Sequence, residues 1–311
     1  MSNEDNNDTT TCCAACGIAE VDDVKLVPCD DCDLVKYCSV KCREEHKSQH
    51  EEACRKRAAE LRDKILFMQP ESSNLGDCPI CSLPLPLDRL KSATNSCCSK
   101  LICNGCRYAN IHREKKMGLR QSCPFCREPV PDTDEECVKR IRKRIEANDP
   151  VAMSQWAGMQ YEQGDYCSAF EYFTMAAELG YATAHFQLSV MYHLGHGVEE
   201  DEGKAVHHLE EAAIGGNPSA RYNLGWIENK NGNVERAVKH NFIAARQGQD
   251  DSIKWLMKAF KHGYVNKDDL AAALRAHQAA VDETKSPQRE AAEEWFQGDI
   301  SGWASRCLIE S

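Results

Sequence analysis

Apolar residues in the second half of the chain recur at helical intervals, and the pattern itself repeats. From Gly158 onward, the order Ala, six residues, Ala-Ala, two residues, Gly appears as Ala169, Ala176, Ala177 and Gly180. It returns as Ala205, Ala212, Ala213 and Gly216, then as Ala237, Ala244, Ala245 and Gly248. The copies lie 36 and then 32 residues apart, a period in the range of helix-pair solenoids. Each glycine predicts a helix end, and four residues later a small residue (Ala184, Ala220, Ser252) sits in the opening of the next helix. Small residues let paired helices approach closely, with Phe173, Leu209 and Phe242 filling the space between. Two helices are predicted upstream. Arg55 to Gln69 has helical spacing at Leu61, Ile65 and Met68 and is closed by Pro70. Asp134 to Ala147 is ended by Asn148-Asp149-Pro150.

Length and charge bound the function. A chain of 311 residues with 42% hydrophobic residues holds two or three domains. Its net charge of −11 argues against general nucleic-acid binding, which needs a basic surface to displace counterions. The exception is the run Lys139 to Arg144, readable as a nuclear-import signal or as a solvated helix face with Ile141 and Ile145 turned inward. The first eleven residues are polar and acidic and give no secretory signal, and no apolar run approaches membrane-spanning length. An intracellular protein is expected, in the cytoplasm ahead of the nucleus. Nineteen cysteines in such a reducing compartment read as metal ligands rather than disulfides.

Nearly all of them fall in two blocks. The first has Cys13-x2-Cys16, Cys29-x2-Cys32, Cys38-x3-Cys42 and His50-x3-Cys54, enough for two four-coordinate zinc ions. Residues four apart share a helical face, so the last two pairs belong on helix. The order resembles the MYND zinc finger, including the aromatic Tyr37 before Cys38. The resemblance implies interleaved pairing: Cys13, Cys16, Cys38 and Cys42 on one ion, Cys29, Cys32, His50 and Cys54 on the other. Cys12 is left as a free thiol, and His46 as an exposed helical histidine. MYND fingers that bind proline-rich peptides carry Gln and Trp where this chain has Arg43 and Lys47, so an acidic partner is equally plausible.

The second block opens with Cys78-Pro79-Ile80-Cys81 and closes with Cys123-Pro124-Phe125-Cys126, with Cys97, Cys98, Cys103 and Cys106 between. It resembles an all-cysteine RING domain; Lys100 stands where most RINGs place a histidine. The resemblance implies one zinc on Cys78, Cys81, Cys103 and Cys106 and another on Cys97, Cys98, Cys123 and Cys126, four ions in the whole chain. RINGs hold a ubiquitin-loaded conjugating enzyme in a reactive geometry. The positions that would contact enzyme or ubiquitin are Ile80, Pro124 and Arg127.

The repeats resemble Sel-one-like repeats, relatives of the tetratricopeptide repeat. The clearest copy is Ala184, Leu188, Tyr192, Gly195, Gly197 and Val198, and Glu228 replaces the expected tyrosine in the third. The fold expected is multidomain: two small zinc-stabilised cross-brace modules with little regular structure, then an all-α helix-pair solenoid. The segments are a disordered tail (1–11), a MYND-type finger (12–54), a helical linker (55–76), a RING-type finger (77–130), a linker helix (131–149), repeats (150–264) and capping helices (265–311), with Trp295 and Phe296 docking. Two functions follow. One is a RING-type ubiquitin ligase that binds a conjugating enzyme and recruits protein substrates through the repeats and the MYND finger. The other is a non-catalytic adaptor.

Overall fold

The computed structural model describes residues 12–298; the expected tail of residues 1–11 and the end of the capping segment, residues 299–311, lie outside the described residues. The chain divides into two compact units at Met68 and Gln69.

In the first unit, strands β1 (Val27–Pro28) and β2 (Lys36–Tyr37) form a two-stranded antiparallel ladder. Helix α1 (Val40–Leu66) follows, capped by Ser39, whose hydroxyl accepts from the Cys42 amide. This helix is one continuous element of 27 residues. The helix expected to begin at Arg55 begins at Val40, because no glycine or proline interrupts the chain up to Phe67. Its deeply buried apolar residue is Leu66; Ile65 and Met68 are exposed. The hydrophobic cluster among its described residues is Cys13, Leu26, Tyr37 and Cys42, far less than a unit of this size needs without a metal.

The second unit opens with a cysteine-rich segment around β3 (Ser92–Thr94), β4 (Leu101–Cys103) and α2 (Asn104–Lys116). Its core is Cys78, Leu85, Ile102, Cys103, Cys106 and Cys123. Helix α3 (Asp134–Glu146) buries Ile141, leaves Ile145 half-buried and packs on the first solenoid helix, α4 (Pro150–Glu162). All three arginines of the Lys139–Arg144 run are engaged there. Arg140 donates to Glu136 and to the Pro129 carbonyl, Arg144 to Asp149, and Arg142 lies over Trp156.

The solenoid continues as α5 (Tyr166–Glu178), α6 (Ala182–Leu194), α7 (Glu202–Ile214), α8 (Pro218–Lys230), α9 (Val234–Arg246), α10 (Asp250–Lys261) and α11 (Lys267–Glu283). Helices pair as α4 with α5, α6 with α7 and α8 with α9. The repeated alanines are buried, as are Ala184, Ala220 and Ser252. Gly180, Gly216 and Gly248 adopt φ of +77°, +85° and +88°, the left-handed conformation that ends a helix without a Cβ penalty. Glu228, at the tyrosine position, accepts from Arg236 and Asn233, replacing an aromatic contact by a charged one. Helix α11 packs on α9 and α10. Helix α12 (Pro287–Gly298) does not extend that cap: it packs on α2, and Trp295 meets Tyr108 and His112 there. Tyr108 and His112 sit one turn apart on α2, so they offer Trp295 an aromatic seat.

Candidate metal centres

Both cysteine-rich segments are built from one backbone turn. In the turn opening at Cys78, the Cys78 amide donates to the Leu83 carbonyl and the Ser82 amide to the Cys78 carbonyl. The turn at Cys123 repeats this with Glu128 and Arg127, and that at Cys13 with Ile18 and Gly17. The residue after the second cysteine is left-handed each time: Gly17, Asp33, Ser82 and Arg127 have φ of 76°, 55°, 55° and 65°. That bend turns the two thiols to one side of the loop.

The same turn explains how two adjacent cysteines serve one site. Asn95 donates to the Lys100 carbonyl and accepts from the Ser99 amide, and Ser99 has φ of 55°. Asn95 therefore holds the place of a first cysteine and Cys98 that of a second. Cys97, inside the turn, supplies the remaining thiol.

The ligand atoms converge in four groups: Cys13, Cys16, Cys38 and Cys42; Cys29, Cys32, His50 and Cys54; Cys78, Cys81, Cys103 and Cys106; Cys97, Cys98, Cys123 and Cys126. Within each group all donor atoms lie within 4.8 Å of one another. Sulfur separations such as 3.5 Å (Cys16–Cys38), 3.7 Å (Cys29–Cys54) and 3.8 Å (Cys81–Cys103) match the edge of a tetrahedron with Zn–S bonds of about 2.3 Å. His50 presents Nε2 to its site, 3.0 Å from Cys32 Sγ. Each donor set fits zinc. Cys12 is exposed and outside all four groups.

With only protons to share, the thiols divide them unevenly. Cys38 is pushed up to about 12 by hydrogen bonds with Cys16 and Cys42, and Cys54 to about 12 by burial and then by Cys32 and Cys29. Cys98 rises to about 12, chiefly through Cys123, while hydrogen bonds from Cys97 and Cys98 pull Cys123 down. A metal must displace the protons the high-pKa thiols retain, which ties its binding to pH.

The ligands are held by neighbours that spacing does not reveal. His46 is half-buried rather than exposed: it hydrogen-bonds the Tyr37 hydroxyl at 3.1 Å and stacks on His50. In the second segment, Glu114 is buried and accepts from the Ser122 amide and hydroxyl, fixing the loop that leads into Cys123. Asn110 donates to the Ser122 carbonyl and accepts from Arg127 at 2.7 Å. The helical spacing of Asn110 and Glu114, four apart on one face, was the only available signal.

Of the three positions the RING resemblance singled out, Ile80 is exposed, Pro124 half-buried, and Arg127 holds Asn110. In the first segment Arg43 pairs with Asp30, and Lys47 is exposed. Among the described residues, no helix is long and apolar enough to cross a membrane.

The MYND finger family matches residues 13–54, and the Sel1 repeat family matches residues 151–181 and 182–217. These matches do not include the second cysteine segment. The chain is 23% identical over 208 residues to the DAP3-binding cell death enhancer 1 of Mus musculus, and equally to that of Rattus norvegicus. Each match spans 54% of this chain and 41% of the relative's length. Similar solved structures include a Sel1 repeat protein from Oxalobacter formigenes (26% identity, 54% of this chain and 50% of that one, TM-score 0.43). Another is c5321, a protective antigen of uropathogenic Escherichia coli with an SLR fold (27% identity, 52% and 36%, TM-score 0.40). The chain thus carries a zinc-binding MYND finger ahead of a solenoid of Sel1 repeats.

Proposed function

We propose that this protein is an interaction adaptor: the zinc modules are structural, and they and the solenoid present surfaces to protein partners. The observation that carries it is the solenoid itself. Its interior is closed by alanines, yet Trp226, Met257 and Tyr264 remain 53%, 46% and 59% exposed. Large exposed aromatics of this kind are the side chains that anchor protein interfaces. The name of the mouse and rat relatives supplies the first partner to try, a DAP3 counterpart. Titration calorimetry of that counterpart against the full chain should give binding, weakened at least about tenfold by Trp226→Ala with Tyr264→Ala. Binding that is absent, or unchanged in the double variant, rejects this partner or this surface.

A RING-type ligase is the second reading. It is favoured by the interleaved ligand groups and by Ile80 and Phe125, which stand 42% and 43% exposed on the two turns that open and close the second segment. Under it, Ile80 and Pro124 contact a conjugating enzyme and Arg127 reaches ubiquitin. Discharge of ubiquitin from charged conjugating enzymes should then be accelerated by the chain and lost in Ile80→Ala. No acceleration across a panel, from protein holding four zincs, leaves the adaptor.

A further inference from the structure

Arg289 is the single cation in the sequence of α12, and its surroundings are unusual for one. It is only 5% exposed. Its Nη1 donates to the carbonyls of Pro84 (2.7 Å) and Thr284 (2.6 Å), and its Nη2 to the Leu83 carbonyl (3.2 Å) and Cys81 Sγ (3.4 Å). Among the described residues no carboxylate lies within ion-pair distance of it. Burying a guanidinium against carbonyls alone is costly, because a buried charge needs a counter-charge.

The counter-charge is at hand. Cys81 belongs to the group Cys78, Cys81, Cys103 and Cys106. A divalent zinc with four thiolates carries a net double negative charge, whereas four thiols carry none. The approach is built in from both sides. Gly105, between Cys103 and Cys106, has no side chain, and a Cβ there would lie 2.8 Å from Arg289 Cγ and 3.1 Å from its Cα. Gln288 donates to the Gly105 carbonyl, and Glu293 pairs with Lys91 at 2.8 Å. Trp295 then closes on Tyr108 and His112, and Phe296 lies near Arg107.

We propose that Arg289 is a positioning residue for the zinc site of Cys78, Cys81, Cys103 and Cys106, donating to the Cys81 thiolate from outside the ligand shell. The docking of α12 on α2 is thereby coupled to metal at this one site. The guanidinium lowers the energy of a crowded thiolate set, and the charged set makes burial of the guanidinium tolerable. Such coupling is reciprocal: losing the arginine loosens the metal, and losing the metal loosens the helix. Outer-shell partners of this type commonly alter metal affinity by about 10–100-fold.

The experiment uses the full chain loaded with zinc, as wild type, Arg289→Met, Arg289→Lys and Glu294→Gln. Zinc release into a chromogenic chelator is followed in time. One zinc per chain should leave roughly tenfold faster in Arg289→Met, with most of the effect restored in Arg289→Lys and little change in Glu294→Gln, an exposed position of α12. Cadmium-113 substitution should show one resonance displaced in Arg289→Met and the others in place. In wild type, a scalar coupling should run from that cadmium to an Arg289 guanidinium proton, a measurement that needs no variant to fold. Release curves that superimpose while amide exchange of residues 287–298 rises would make Arg289 a backbone clamp and overturn the proposal. So would absence of the coupling.

Discussion

Arg127 illustrates how a single position can serve two ends. It follows the last cysteine of its module in a left-handed conformation, φ 65°, and its guanidinium holds Asn110 on α2. A non-glycine residue there costs about 1–2 kcal/mol relative to glycine. Arg127→Ala keeps that cost and loses the hydrogen bond, so it weakens the module as well as removing the charge. Arg127→Gly loses the same bond but relieves the backbone. Thermal unfolding should place Arg127→Gly above Arg127→Ala by about 1 kcal/mol, with zinc content equal in both. Glycine is therefore the cleaner substitution for any ubiquitin-transfer assay. Asn110 and Glu114 were not legible as important, because neither binds metal. Their role depends on Ser122, which only the folded α2 brings to them.

Helix pairs of the solenoid were the most legible elements, since the Ala-Ala-Gly pattern reports directly where two helices cross. Ala212 and Ala244 are fully buried, so leucine at either forces the helices apart and should cost about 1–3 kcal/mol. Leu209→Ala leaves a void instead and should cost about 2–5 kcal/mol. Circular-dichroism melts of the three variants test both numbers. Two histidines make the same array acid-sensitive. His208 on α7 is pushed down from 6.5 to about 4 by burial and by the charges of His185 and His207. His240 on α9 is pushed down to about 3 by burial and by Arg221 and Arg236. Both folded-state values lie below the unfolded one, so below pH 6.5 the native state binds fewer protons than the unfolded state. The stability is whole above pH 6.5 and is lost progressively toward pH 4. Urea unfolding should show a loss on the order of 1 kcal/mol per histidine between pH 7 and 5, reduced in His208→Gln.

The zinc modules should respond to metal removal and the repeats should not. Four zincs per chain are expected by metal analysis, and a content near three would reject the Cys97 and Cys98 pairing first. Chelation should raise amide exchange across residues 12–66 and 77–130 while α4 to α9 stay protected, because structural zinc supplies folding free energy to cores this small. Spacing of cysteines, glycines and alanines determined the local ligand pairs and the helix pairs, since each reflects a constraint felt within a few residues of chain, whereas the interleaved grouping of those pairs was implied by the family resemblances. The tertiary structure alone decided that Asn95 stands in for a first cysteine, that His46 backs His50, and that α12 returns to α2. Arg289 and Cys81 lie 208 residues apart. No local periodicity records that meeting; it exists only because the folded chain brings α12 back onto α2.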